Sequence, residues 1–499
     1  MKRIWIWLVV FLVFFFLSLQ IPDDPDFGVH LQAGRFILQH KNFPRQDLFS
    51  FSLPDQAYVY YSWLGEVILS AVYDSQGFSG KLLPSGLWRV TIVWSFICAI
   101  AIFKLFRLSV SSFWLFLVFL LVTSMMFSSI GVRSQMFTFL FSVMEAALLL
   151  RWQRKWQVKR AKFQLREALP FVFLFMFWAN LHLGFIIGLS IMVFFFSAEL
   201  LSGLPWKKNI IPKALSSVII CVLSIAATFI TPYGIGLYRQ AWLISRNPIL
   251  QKINFEWIPL LSRGFLHLCF AGISLFLLFL IAKQKKINRP LLAVSIFLFL
   301  LTLRNVRTAM IFLVFFLPLL SQLLAKIPPL SFKLLPIKGE KIPVYLALTL
   351  IPLVIFVRIT LNIRQTVSLL NNQQEFAQKG GYPLGAVEFL RLHPDSYQLL
   401  NYVDWGGYLA WQLPEKKVFI TGIMDTFVSN NRLFLEDYFD IVAAQKSWEK
   451  LMDRYGIDSL LLPASLPVVK ALKEKSDWKI LYEDKESILM RKTCGCGHL

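Results

Sequence analysis

Long apolar runs, such as Phe11–Leu19 and Phe171–Trp178, recur through the first 361 residues and are separated by short basic stretches. A bilayer core about 30 Å thick requires roughly 20 largely apolar residues per helix. Runs that meet or approach this length fall at 4–21, 87–103, 113–130, 136–150, 169–181, 183–201, 212–231, 265–282, 290–303, 309–325 and 343–361. The pattern predicts an α-helical polytopic membrane protein with about eleven transmembrane helices. The shorter runs at 136–150, 169–181 and 290–303 also fit re-entrant or broken helices. The chain is 57% hydrophobic and 16% charged, against about 25% charged in ordinary globular domains. A soluble enzyme is excluded, because so much apolar area would face water.

The formal charge of +22 invites a nucleic-acid reading, which its distribution removes. Residues 1–361 hold 35 Lys and Arg against 12 Asp and Glu, a net of +23. Residues 362–499 hold 16 against 17, a net of −1. The excess therefore lies among the apolar runs, where orientation in the bilayer is the usual cause. With Lys2 and Arg3 cytoplasmic, strict alternation places 22 of the 35 basic residues on one side. They sit at Lys104 and Arg107, within Arg151–Arg166, at Lys207, Lys208 and Lys213, within Lys283–Arg289, and within Lys326–Lys341. The rule that cytoplasmic loops are basic thus predicts a multi-pass protein of the cell inner membrane. Its N-terminus is cytoplasmic, while the loop 22–86 and the C-terminal tail are extracytoplasmic. Segment 4–21 reads as an uncleaved first helix, since Ser18–Asp24 offers no small-residue cleavage site.

The acids are scarce and unevenly placed. Seven of the twelve in the membrane half lie in the first outer loop: Asp23, Asp24, Asp26, Asp47, Asp55, Glu66 and Asp74. Three follow helix 1 directly, where Pro22 and Pro25 end the helix and constrain the turn. Carboxylates at an interface suit a general base, a divalent-metal ligand or a sugar-hydroxyl acceptor. The plainer reading is a translocated loop whose acids open a helix. Val29–Leu38 has helical periodicity, and His30 falls four residues after Asp26. A second interfacial helix is predicted over Trp63–Tyr73, carrying Glu66. Arg133, Asn180, His182, Glu256, Arg304 and Arg307 all fall at outer helix ends, where polar groups line a cavity or snorkel to head groups. Glu145 and Glu199 fall toward cytoplasmic ends and read as solvated helix-end acids.

Three motifs carry a resemblance. They are Asp24-x-Asp26-x-x-x-His30-Leu31-x-x-Gly34-x-x-Ile37, Pro44-x-x-Asp47-x-Phe49-Ser50, and Trp63-Leu64-x-Glu66. Together they resemble the first outer loop of uncharacterised bacterial polytopic membrane proteins, which are similar to the GT-C superfamily of polyprenyl-phosphate-sugar-dependent glycosyltransferases. The likeness continues at Arg133-Ser-Gln135, Trp178-Ala-Asn180-Leu-His182-Leu-Gly184, Pro232-Tyr233-Gly234, Glu256-Trp257 and Arg304-Asn305-x-Arg307. It runs weakly through the tail at Trp405–Tyr408 and Val418–Asp425. It departs from the group at Gly28-Val29, where an aromatic pair is expected, and at Leu183, where glycine is expected. It departs again at Thr421-Gly422-Ile423, where Asp-Gly-Arg is expected.

The resemblance implies a glycosyltransferase with Asp24 or Asp26 as the catalytic base and His30 as a neighbouring catalytic or ligand group. It implies that Arg133, Arg304 and Arg307 bind the carrier phosphate, with Glu66, Asn180, His182, Tyr233 and Glu256 as further substrate-binding residues. A divalent metal at Asp24, Asp26 and His30 is compatible and not required. The implied partners are a lipid-linked sugar donor, membrane lipids and a glycan, lipid or protein acceptor, with no nucleic acid. A lipid or polysaccharide transporter, or a non-catalytic membrane scaffold, are the alternatives from other classes. The chain has no clear internal repeat of the kind transporters carry.

The tail divides into a polar linker at 362–381 and a small extracytoplasmic α/β domain at 382–499. Strands are predicted at Leu399–Val403, Val418–Ile420, Ser459–Leu462, Trp478–Tyr482 and Ser487–Arg491. Helices are predicted near 384–392, 429–444, 446–455 and 465–474, and Trp405–Tyr408 reads as a structural turn. Cys98, Cys221 and Cys269 lie in apolar runs as core residues. Cys494, Cys496 and His498 offer only three metal ligands at the chain end.

Overall fold

The computed structural model describes residues 2–22, 24–75, 85–109, 131–157, 163–202, 210–249, 258–262, 264–324, 342–395, 397–430 and 432–493. The predicted span at 113–130, together with Asp23, Glu256 and the Cys494–His498 end, lies outside them. Every other predicted span overlaps a helix. These are Lys2–Leu17, Gly86–Ser109, Gln135–Trp156, Leu169–Leu181, Phe185–Leu201, Ile210–Ala227, Phe265–Ala282, Arg289–Arg304, Ala309–Leu324 and Ile342–Asn371. Among the described residues, Gly86–Ser109, Ile210–Ala227 and Val306–Leu324 are long and apolar enough to cross a membrane. In Gly86–Ser109 and Ile210–Ala227 apolar residues point both inward and outward, whereas Ala309–Leu320 is buried throughout.

The chain forms two compact units. The first comprises Met1–Gln20, Thr91–Gly234 and Gln251–Thr366, and the second Ile21–Val90, Ile235–Leu250 and Val367–Leu499. The first is a helical unit whose centre is aromatic, with Phe175, Trp178, Phe185, Phe195, Phe312 and Phe315 all fully buried. Glu145 and Glu199, predicted to be solvated at helix ends, are instead buried. Glu199 is tied into a polar knot: Gln153 Nε2 donates to it at 2.6 Å, Lys213 Nζ pairs with its other oxygen, and Asn288 Nδ2 donates to Gln153 at 2.7 Å. Asn288 also caps helix Arg289–Arg304, accepting from the Leu291 amide at 3.1 Å. Four helix ends are thus held by groups that satisfy one another, which is how buried polar side chains persist.

The second unit joins the first outer loop to the tail. Its loop part has the two predicted interfacial helices, at Phe27–His40 and Trp63–Asp74. The tail has strands β1 (Leu399–Asn401), β2 (Val428–Ser429), β3 (Arg432–Leu433), β4 (Ser459–Leu462), β5 (Trp478–Glu483) and β6 (Ile488–Lys492). A four-stranded sheet runs in the order β1-β4-β6-β5, with β1 and β4 parallel and the other pairs antiparallel. Strands β2 and β3 form a separate hairpin, which shortens the helix predicted from 429 to Phe434–Val442. Residues 362–371 continue the long helix Ile342–Asn371, and Asn372 caps a further helix, Gln373–Gly380.

Two tail predictions are corrected. Trp405–Tyr408 is not a simple turn, since Gly406–Gln412 is helical. Val418–Ile420 does not join the sheet. Its contact with β1 is one backbone bond, from the Phe419 amide to the Leu399 carbonyl at 3.2 Å, and the Asn401 side chain supplies the rest, accepting from the Phe419 and Ile420 amides at 3.0 Å and donating to the Ile420 carbonyl at 2.8 Å. On its other edge Val418 forms an isolated parallel bridge with Ser50 of the first loop.

Candidate functional site

The acids of the first loop separate by role once folded. Asp47 is buried in its own turn, accepting from the Phe49 and Ser50 amides at 3.0 and 3.1 Å. Asp74 holds Arg35 through two bonds of 2.8 and 2.6 Å. Asp55 occupies a left-handed turn position with φ of 67°. Asp24, Asp26 and Glu66 are the three that gather at His30.

Their placement follows from the start of helix Phe27–His40. The Asp24 side chain accepts from the Asp26 amide at 3.1 Å, and the Asp24 carbonyl accepts from the Phe27 amide at 3.0 Å. The Asp26 carbonyl accepts from the His30 amide at 3.0 Å, which sets His30 one turn beyond the carboxylates. His30 Nδ1 lies 2.9 Å from Glu66 Oε1, and the Ser62 hydroxyl donates to the same oxygen at 3.2 Å. Glu66 can reach because Gly34 lets the two helices touch: a Cβ at position 34 would stand 2.0 Å from the Glu66 carbonyl oxygen. Glu66 is buried, and its Oε2 has no hydrogen-bond partner among the described residues.

Burial by itself pulls the imidazole down, but the Glu66 hydrogen bond and charge, followed by Asp24 and Asp26, outweigh it and push His30 up to about 9. His30 is therefore an imidazolium at neutral pH. An imidazolium donates from both nitrogens and has no lone pair for a cation. In this state His30 offsets the charge of the carboxylates. Among the described residues, no group of three or more His, Cys, Asp or Glu is placed to hold a metal ion.

The tail closes the other side of the cluster. A Cβ on Gly422 would stand 2.0 Å from Asp26 Oδ1, so the Asp26 carboxylate rests against bare backbone. A Cβ on Gly28 would stand 1.9 Å from the Gly407 carbonyl oxygen, and one on Gly407 would stand 1.9 Å from the Pro25 carbonyl oxygen. An aromatic residue at position 28 is incompatible with that approach, which accounts for one departure from the expected motif. Trp411 then meets Phe27 edge to face at 5.5 Å. The turn Gly422–Thr426 is held from behind by helix Gly236–Arg246 and the residue after it. Gln240 Nε2 donates to Thr426 Oγ1 at 3.1 Å, and Asn247 Nδ2 donates to the Asp425 carbonyl. Gly28, Gly407 and Gly422 escaped sequence reasoning as site residues, although Gly407 and Gly422 lie in the two tail stretches that carry the weak resemblance.

A second polar cluster belongs to the first unit. His182 caps helix Leu169–Leu181 and is 8% exposed. Its Nδ1 lies 2.8 Å from Thr138 Oγ1, and its Nε2 faces Arg307 Nη2 at 3.5 Å. The Trp178 indole N–H donates to the same threonine oxygen at 3.0 Å. Arg307 is set by Asn305, whose side chain accepts from the Arg307 amide at 2.9 Å in the tight turn after helix Arg289–Arg304. Asn180 donates to the Met176 and Ile230 carbonyls at 2.7 and 2.9 Å, so its amide ties one helix to the segment after another. Arg133 is half-buried and its carbonyl accepts from Trp94 Nε1 at 3.2 Å. Tyr233 is half-buried in the turn before Gly234, and Arg304 is exposed at a helix end. Thr138 and Asn305 carry this cluster without having been singled out as site residues. An Asn two residues before an arginine, between two apolar runs, is a readable capping signal.

No protein-family model matches the chain, and no curated protein matches it. Solved structures do. Over 100% of this chain and 75% of the other, it resembles archaeal oligosaccharyltransferase AglB from Archaeoglobus fulgidus in complex with an inhibitory peptide and a dolichol-phosphate, with TM-score 0.54 and 12% identity. The apo form of the oligosaccharyltransferase from the same organism aligns over 91% of this chain and 69% of its own, with TM-score 0.52 and 12% identity. At such identity the likeness establishes the fold. The chain shares the fold of these archaeal oligosaccharyltransferase structures, and the bacterial grouping gains nothing from them.

Proposed function

We propose that the protein is a membrane-embedded glycosyltransferase that moves a sugar from a polyprenyl-phosphate carrier to an acceptor on the extracytoplasmic face. The observation that carries this reading is the Asp24 and Asp26 pair, set at a helix start and closed by the tail glycine Gly422, in a chain with an oligosaccharyltransferase fold. Asp26 acts as the base and Asp24 shapes the turn that presents it. The acceptor O–H proton passes to the Asp26 carboxylate, and the oxygen bonds to the anomeric carbon. The bond from that carbon to the carrier phosphate breaks with its electron pair left on the phosphate. His30, kept cationic by Glu66, offsets the repulsion among the carboxylates.

In the first unit, Arg307 with Arg133 and Arg304 binds the carrier phosphate, a task suited to the guanidinium fork. His182 and Asn180 fix that end of the unit, and Tyr233 and Glu256 complete the substrate contacts. The dolichol-phosphate of the AglB complex supports a lipid phosphate as the carrier class. The acceptor is a hydroxyl-bearing glycan, lipid or protein. The orientation, with the N-terminus cytoplasmic and the tail outside, follows the 22 basic residues on one side.

Proteoliposomes supplied with a radiolabelled polyprenyl-phosphate sugar and an acceptor extract test the reading. Asp26→Asn is expected to lower transfer by at least about a hundredfold while leaving thermal denaturation unchanged. Wild-type transfer by both Asp26→Asn and Asp24→Asn removes the catalytic assignment.

A further inference from the structure

Helix Gly236–Arg246 has a face that the glycosyltransferase reading does not use. Its inner face is fixed: Leu237, Gln240 and Asn247 are buried, and Gln240 and Asn247 hold the turn Gly422–Thr426. The opposite face presents Ile235, Arg239, Trp242, Leu243 and Arg246, at the i, i+4, i+7, i+8 and i+11 spacing of one helical stripe. Ile235 is 69% exposed and Trp242 56% exposed, so large apolar groups stand in the open. The Arg246 guanidinium lies over the Trp242 ring at 3.8 Å from its centroid. Gly234, at φ of 48°, turns the chain into this helix. Only residues 228–235 separate the helix from Ile210–Ala227, which is long and apolar enough to cross a membrane. Fully extended, that connection reaches at most about 28 Å.

Each of these features has the same physical reading. A face left in water exposes tryptophan, leucine and isoleucine at a cost, and this one follows within eight residues a helix long and apolar enough to cross a membrane. An aqueous–hydrocarbon boundary accepts these and the two arginines at once, with rings and aliphatic groups below the head groups and guanidinium groups at their level. We infer that helix Gly236–Arg246 is an interfacial anchor, which lays Ile235, Trp242 and Leu243 into the bilayer surface and sets Arg239 and Arg246 on anionic lipid phosphates. The same helix braces the turn that rests on Asp26, so the anchor fixes the carboxylate site to the membrane surface from outside the catalytic groups.

The test uses the full chain in nanodiscs of phosphatidylcholine and phosphatidylglycerol in equal parts. Trp242→Phe isolates the Trp242 emission as the difference from wild type. That component is expected to be quenched by lipids brominated high on the acyl chain and protected from aqueous iodide. Quenching by iodide without quenching by bromolipid, or protection from both, overturns the anchor, the second outcome pointing to a protein cover. The head-group assignment is read separately, by titrating short-chain phosphatidylglycerol into phosphatidylcholine nanodiscs. Arg239→Glu and Arg246→Glu are each expected to raise the half-saturation of the Trp242 signal at least about fivefold. Half-saturation unchanged in both variants overturns it.

Discussion

The polar cluster of the second unit is built by backbone approaching backbone, whereas that of the first unit is built by side chains bonding side chains. Around Asp26 the space is set by Gly28, Gly407 and Gly422, positions where an added Cβ would meet other atoms at 1.9 to 2.0 Å. Around His182 it is set by Thr138, whose hydroxyl accepts from the Trp178 indole and donates to His182 Nδ1, which also accepts from the Gly184 amide. The electrostatics differ in the same way. The second unit gathers three carboxylates on one imidazolium and depends on charge balance. The first buries a histidine beside an arginine and relies on hydroxyl and amide partners. A site of the first kind is sensitive to volume and pH; a site of the second kind is sensitive to the loss of single hydrogen bonds.

That contrast can be broken in order of effect. Gly422→Ala drives a methyl group into Asp26 Oδ1, and a displaced base is expected to cut turnover by about a hundredfold or more. The comparison of turnover with thermal denaturation checks it, since the reading requires activity to fall much further than stability. Next comes pH. His30 is raised from 6.5 to about 9, so its stabilising contribution is complete below pH 6.5 and is lost as pH rises through about 9. Roughly 2 to 3 kcal/mol of stability is expected to disappear across that window, allowing for a side chain that is 19% exposed. Chemical denaturation at pH 6 and pH 9.5 measures it, and His30→Gln should flatten the difference.

In the first unit, Thr138→Val leaves the Trp178 indole and His182 without their shared oxygen. The expected loss is about 1 to 2 kcal/mol, with little pH dependence over the same window, read from denaturation midpoints. The smallest effect belongs to Asp74→Asn. Its pair with Arg35 has good two-point geometry but is 26% and 45% exposed, so the loss is expected to stay below about 1 kcal/mol. A large loss there would mean that Arg35 and Asp74 also position Tyr73 and the helix pair beneath the site.

Much of the architecture is legible because run length is a local property. Apolar segments at 136–150 and 290–303 mark helices Gln135–Trp156 and Arg289–Arg304 whatever surrounds them. The helices Phe27–His40 and Trp63–Asp74 were equally readable as helices. The tail was less so. Val418–Ile420 has the composition of a strand, yet its hydrogen bonds go to the Asn401 side chain, to the Leu399 carbonyl and to the Phe49 and Phe51 backbone on either side of Ser50, 368 residues before Val418. Nothing in three apolar residues encodes which edge they will meet. Glu199 likewise reads as an end-of-helix acid until Gln153 and Lys213 arrive from other helices.

What the sequence supplied alone is apolar length suited to a bilayer and seven acids in one loop that mark the place to look. What only the tertiary structure decided is which acids count. Asp47 and Asp74 became structural, and Asp24, Asp26 and Glu66 became a charge cluster, because each carboxylate took the role of the nearest donor the fold supplied. Glycine carries the same lesson. Gly422 has no side chain to read, and its meaning comes entirely from the carboxylate that folding brings against it.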